Sequence, residues 1–125
     1  MPPYIQISVL ELNARRWQQL ADVTDHAARL DSFSFPETFY LNAVARFYLH
    51  QVEEAERSAR KAQDLDTRHR YPQVSHLLGT ILAQRRDFAA AAAELRNYLR
   101  FAPEARVAIA VRAQAEAFER QASQR

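Results

Sequence analysis

No cysteine occurs in the chain, which excludes a disulfide framework, thiolate metal ligation and thiol catalysis, and leaves the redox compartment open. Glycine is almost as scarce: Gly79 is the only one, and with five prolines it leaves little material for the tight turns of an all-β fold. Lysine is reduced to Lys61, so arginine carries the positive charge. A net charge of +2 over 125 residues is too small to imply nucleic acid or an anionic membrane. No apolar run approaches the roughly 20 residues of a membrane span. The opening Met1-Pro2-Pro3-Tyr4 lacks the charged and apolar regions of a signal peptide, so the chain reads as soluble, unexported and cytoplasmic as it stands. What remains is a 48% hydrophobic, alanine-rich sequence that suits one domain, 1–125, with a real core. The alanine run 89–93 sits inside an apolar period with Phe88, Leu95 and Leu99, as on a helix face that another helix approaches closely.

One segment is written twice, about 36 residues apart. Small residues coincide (Ala43 with Gly79, Ala55 with Ala91), and so do apolar ones (Val52 with Phe88, Leu65 with Phe101). Two helical segments per period signal stacked units that cannot bury their apolar faces alone. The prolines Pro2 and Pro3, Pro36, Pro72 and Pro103 each precede helical periodicity, where a missing N–H costs nothing. The spacing predicts three helical hairpins and a final helix: a first, divergent unit over 1–35 (helices 3–13 and 17–30), a second over 36–71, a third over 72–102, and a cap over 103–122. In the cap, Val107, Val111, Ala115 and Phe118 form a single apolar stripe, suited to closing the end of a stack.

These features resemble the tetratricopeptide repeat family, whose unit is a 34-residue helix–turn–helix. The third unit carries Leu78-Gly79, Leu82, Phe88, Ala91, Leu95 and Pro103 in register; the second carries Phe39, Ala43, Ala55, Ala59 and Ala62. The first matches mainly through Trp17, Ala27, Leu30 and Asp31. The second unit departs at Asn42 and Arg46, where the family buries apolar side chains, and at Thr67, where the family has proline. The resemblance implies an all-α, right-handed α-solenoid of three hairpins plus a C-terminal capping helix, acting as a non-enzymatic protein-interaction module.

The titratable residues point away from chemistry. His26, His50, His69 and His76 include no pair at the i, i+4 spacing of a helical metal site, and Asp64, Asp66 and His69 read as turn residues. No nucleophile elbow or phosphate loop is present, so no catalytic residue, metal or cofactor is expected. Arg57, Arg60 and Lys61, with Arg68 and Arg70 beyond them, lie among Glu53, Glu54, Glu56, Asp64 and Asp66 and read as a solvated, ion-paired face.

In the resembled family the first helix of each hairpin lines an inner groove. By register those positions are Ile5, Val9 and Leu12, then Tyr40, Leu41, Val44, Phe47 and Tyr48, then Gln73, His76, Leu77, Thr80 and Gln84. The expected partner-binding residues are Tyr40, Val44, Phe47, Tyr48, Gln73, His76 and Thr80. The partner is an apolar or amphipathic peptide or helix, or a second copy of the chain in a homodimer. An alternative orientation turns the stripe Asn42, Arg46, His50 to water and moves Tyr40, Val44 and Phe47 toward the core. Some relatives clamp the acidic C-terminus of heat-shock chaperones, but the five clamp positions here read Ile5, Val9, Leu41, Gln73 and Leu77, so that ligand is not expected. An RNA-binding helical repeat needs many units and a basic groove, which this chain lacks.

Overall fold

The computed structural model is all-α and describes residues 3–30, 35–104 and 106–124, with side chains from residue 14 onward. Its helices are α1 (Pro3–Leu30), α2 (Pro36–Tyr48), α3 (Val52–Leu65), α4 (Gln73–Gln84), α5 (Phe88–Phe101) and α6 (Ala108–Ser123). Among the described residues there is no strand, and no helix is long and apolar enough to cross a membrane. Each helix packs against the next in the chain, and α2 also meets α4.

The internal repeat is visible in the backbone. The turns α2–α3 and α4–α5 each place a left-handed residue at the same point of the period, His50 at φ 63° and Arg86 at φ 64°. Each is followed by the same closing bond: the Gln51 N–H donates to the Arg46 carbonyl at 2.8 Å, and the Asp87 N–H to that of Leu82 at 3.0 Å. This turn satisfies carbonyls at the end of one helix and reverses the chain into the next. Glycine usually occupies the left-handed position, and a side chain there costs about 1 kcal/mol. Between the hairpins lies one core cluster of Ala43, Ala55, Ala59, Leu78, Ile81, Leu82 and Ala91. A second cluster, Leu95, Tyr98, Leu99, Ala108, Val111 and Ala115, joins α5 to α6, with Phe118 packed against both.

Two expectations and one alternative are corrected. The first hairpin is replaced by one continuous 28-residue helix, α1. Ala14-Arg15-Arg16 are good helix formers and carry no chain-reversing signal, so nothing breaks the helix after Asn13. Ile5, Val9 and Leu12 therefore belong to the first half of α1, and their side chains lie outside those described. Pro103 does not open a helix: α6 begins at Ala108, because the chain leaving α5 needs the intervening residues to reverse direction. Val107 accordingly precedes α6 and is 45% exposed, leaving Ala108, Val111, Ala115 and Phe118 to cover α5.

The stripe Asn42, Arg46, His50 does not face water as a unit. Only His50, in the turn, is exposed. Asn42 is buried, and its Nδ2 donates to Asp25 Oδ1 at 2.8 Å and Thr24 Oγ1 at 2.9 Å, while its Oδ1 accepts from Ser58 at 2.6 Å. Arg46 pairs with Asp25 and donates to Gln51 Oε1 at 2.6 Å. Polar groups on α1, α2 and α3 thus pair with one another, with Arg46 Nε left buried and unpartnered, and fix the register of α1 against α2. Asn42→Ala is expected to leave Asp25, Thr24 and Ser58 short of a partner. The cost should be about 1–2 kcal/mol, read as a lower urea midpoint with an unchanged slope.

Candidate functional site

The apolar face of α2 that points away from this polar contact meets α4. Tyr40, Val44, Phe47 and Tyr48 recur at helical spacing on α2, and Gln73, His76, Leu77 and Thr80 do so on α4; together they line one open cleft of about 250 Å³. All seven expected binding residues are brought together there. Leu77, another inner-face position, joins them, whereas Leu41 and Gln84 are exposed and do not line the cleft.

The walls are aromatic and rigidly supported. The Phe47 and Tyr48 rings meet edge to face at 5.6 Å, and Phe47 packs against the core cluster. The Tyr48 ring is stacked on its other side by Trp17 of α1, centroids 4.6 Å apart and nearly parallel, yet Tyr48 stays 56% exposed. At the other wall His76 tilts against Tyr98 at 5.1 Å, and the Thr80 hydroxyl donates to the His76 carbonyl at 3.0 Å. Burial pushes the His76 imidazole below its ordinary range, so it is neutral at pH 7. Burial first, and then neighbouring Tyr48, push the Tyr40 phenol upward, so it stays protonated. Among the described residues the cleft walls therefore carry no formal charge at neutral pH.

Such a surface can exclude water from an apolar side chain and offer phenol, amide and imidazole groups at its edge. Among the described residues, the lining holds no carboxylate to orient His76 and no serine or cysteine for it to activate. By sequence Trp17 reads as packing between units, and only the structure puts it behind the cleft wall. An aromatic in mid-helix reveals its partner only once the pairing of α1 with α2 is known.

A larger cleft of about 380 Å³ opens beside the α3–α4 connector, lined in part by Phe35, Glu37, Asp66, Arg68 and Arg70. Its buried acid is structural: Asp66 accepts from the Arg70 and Tyr71 N–H groups at 2.9 Å each and so shapes the turn. His69 turns away to stack on Phe101 at 4.0 Å. On the α3 surface Arg60 pairs with Glu56 at 2.9 Å, and Arg57 reaches Glu54 at 3.8 Å.

Compared with known proteins, the chain matches no family model, no curated protein and no solved structure.

Proposed function

We propose that the chain is a tetratricopeptide-like interaction module: a right-handed solenoid centred on the α2–α3 and α4–α5 hairpins that binds and does not catalyse. Its ligand is the apolar face of a helix or an apolar peptide, held in the α2/α4 cleft. The observation that carries this reading is the convergence of two helices' aromatic and aliphatic side chains on one open, uncharged cleft. Because both walls are helices fixed by core packing, little conformational freedom is lost on binding, and exposed tyrosines are common energetic anchors.

Trp17 is the only tryptophan and stacks on a cleft residue, so its fluorescence should report occupancy. Titration with a synthetic amphipathic helix, leucine at i, i+3, i+4 and i+7 on one uncharged face, is expected to shift that emission. By calorimetry, Tyr40→Ala and Tyr48→Ala should each weaken binding by on the order of 1–2 kcal/mol while keeping the helical content. Arg57→Ala on exposed α3 should change nothing. Binding that depends on Arg57 and ignores both tyrosines would move the interaction away from the cleft.

A further inference from the structure

α1 is far longer than the helix it packs against. Its 28 residues span about 42 Å, whereas the 13 of α2 span about 20 Å. Their contacts run from Asp25, which meets Asn42 and Arg46, to Trp17, which stacks on Tyr48 at the very end of α2. The two helices are antiparallel, so the part of α1 preceding Trp17 passes beyond the end of α2. Of that part, 3–16, the stretch 3–13 carries one charged residue, Glu11, while Arg15 and Arg16 stand next to Trp17; Ile5, Val9 and Leu12 stand at i, i+4 and i+7, the spacing of one helical face.

Resting on the reading of the cleft as a helix-binding site, we infer that its occupant is this N-terminal half of α1 from a second copy of the chain. Three observations meet here. The overhang is helical, with an apolar face at the spacing a helix groove accepts. Its stretch 3–13 carries a single charged residue, and the described lining of the cleft holds no Asp, Glu, Lys or Arg. And it cannot serve its own cleft, because α1 runs unbroken through residues 13–17 and carries the overhang away from Tyr48 along the helix axis. Exchange between two copies is reciprocal, which gives a closed two-fold dimer in which each copy supplies one helix and one cleft.

The absence of cysteine makes the test direct. The mass of the full chain is measured by sedimentation equilibrium over a range of concentrations, for the natural sequence and for Val9→Glu and Val44→Glu, each checked for helical content. A dimer is expected, weakened about tenfold or more by either variant. Separately, Val9→Cys and Thr80→Cys chains are mixed and oxidised; a heterodimer joined by a disulfide between the two introduced thiols is expected. A monomer at every concentration would overturn the inference, as would a dimer indifferent to Val9→Glu or the lack of that cross-link. A synthetic 3–16 peptide, which contains no tryptophan, added like the leucine probe to the Val9→Glu chain, whose cleft no partner helix fills, separates the two levels of the proposal. If it fails to shift Trp17 emission while the leucine probe succeeds, the occupant is wrong and the cleft reading stands; if neither binds, both fail.

Discussion

Gly79→Leu is expected to lower the stability of the protein by about 3 kcal/mol or more, the upper end of what overpacking costs. Gly79 lies fully inside the α4–α5 crossing. A Cβ there would stand 2.9 Å from Leu95 Cδ2, 3.2 Å from Leu95 Cγ and 3.2 Å from the Ala91 carbonyl oxygen. Leu95 is itself completely buried and cannot swing into solvent, and the Ala91 oxygen belongs to the α5 backbone, which gives only if the helix moves. The substitution therefore forces α4 and α5 apart and loosens the core on both sides. Thermal unfolding by circular dichroism should show a midpoint lower by roughly 10 °C. Gly79→Ala meets the same atoms with one carbon and should cost less, and Leu95→Ala combined with it should recover part of the loss, since the two changes share one space. A Gly79→Leu protein with an unchanged midpoint would mean that the helices do not cross this closely.

The residues that made the repeat legible are the ones that let helices approach. Ala43, Ala55 and Ala91 have no accessible surface, and each lies where the 36-residue offset pairs small with small. Small residues at a crossing leave a trace in sequence because almost nothing else fits. The repeated left-handed turn left none: His50 and Arg86 stand where glycine is expected, so the closing bonds appear only in the backbone. The continuity of α1 was hidden for a related reason. The family pattern supplied a break after residue 13 that no local turn signal required. The alternative that turns Asn42 and Arg46 to water arises because polarity alone does not tell a wet surface from a paired interior. Their partners Thr24, Asp25 and Ser58 lie 16 to 21 residues away. The cleft was readable in its members because the register of the resembled family puts Tyr40, Val44, Phe47 and Tyr48 on the inner side of a hairpin's first helix. Its neutrality was not, because the lowered titration of His76 follows from burial in the folded chain.

Removing α6 should have a comparably large effect. A chain ending at residue 102 keeps both hairpins but uncovers the side of α5 where Leu95, Tyr98 and Leu99 pack against Ala108, Val111, Ala115 and Phe118. Phe118 also packs its ring 5.7 Å from that of Phe88, so its loss opens the first core cluster as well as the second. Burial of a side chain the size of valine or phenylalanine contributes about 1.5–3 kcal/mol, so Val111 and Phe118 together represent a large share of the few kcal/mol by which a domain of this size is stable. The Arg96–Glu119 pair, with contacts of 2.8 and 3.2 Å, is lost too, but it is exposed and adds little beside the apolar contact. The truncated chain is expected to aggregate or to melt well below the full chain, and to bind a hydrophobic dye that the full chain does not. Val111→Asp should reproduce the effect within the full-length protein by placing a charge in the covered face. A truncated chain that stays soluble and melts at the same temperature would show that α5 needs no cover, and that α6 is an appendage rather than the end wall of the stack.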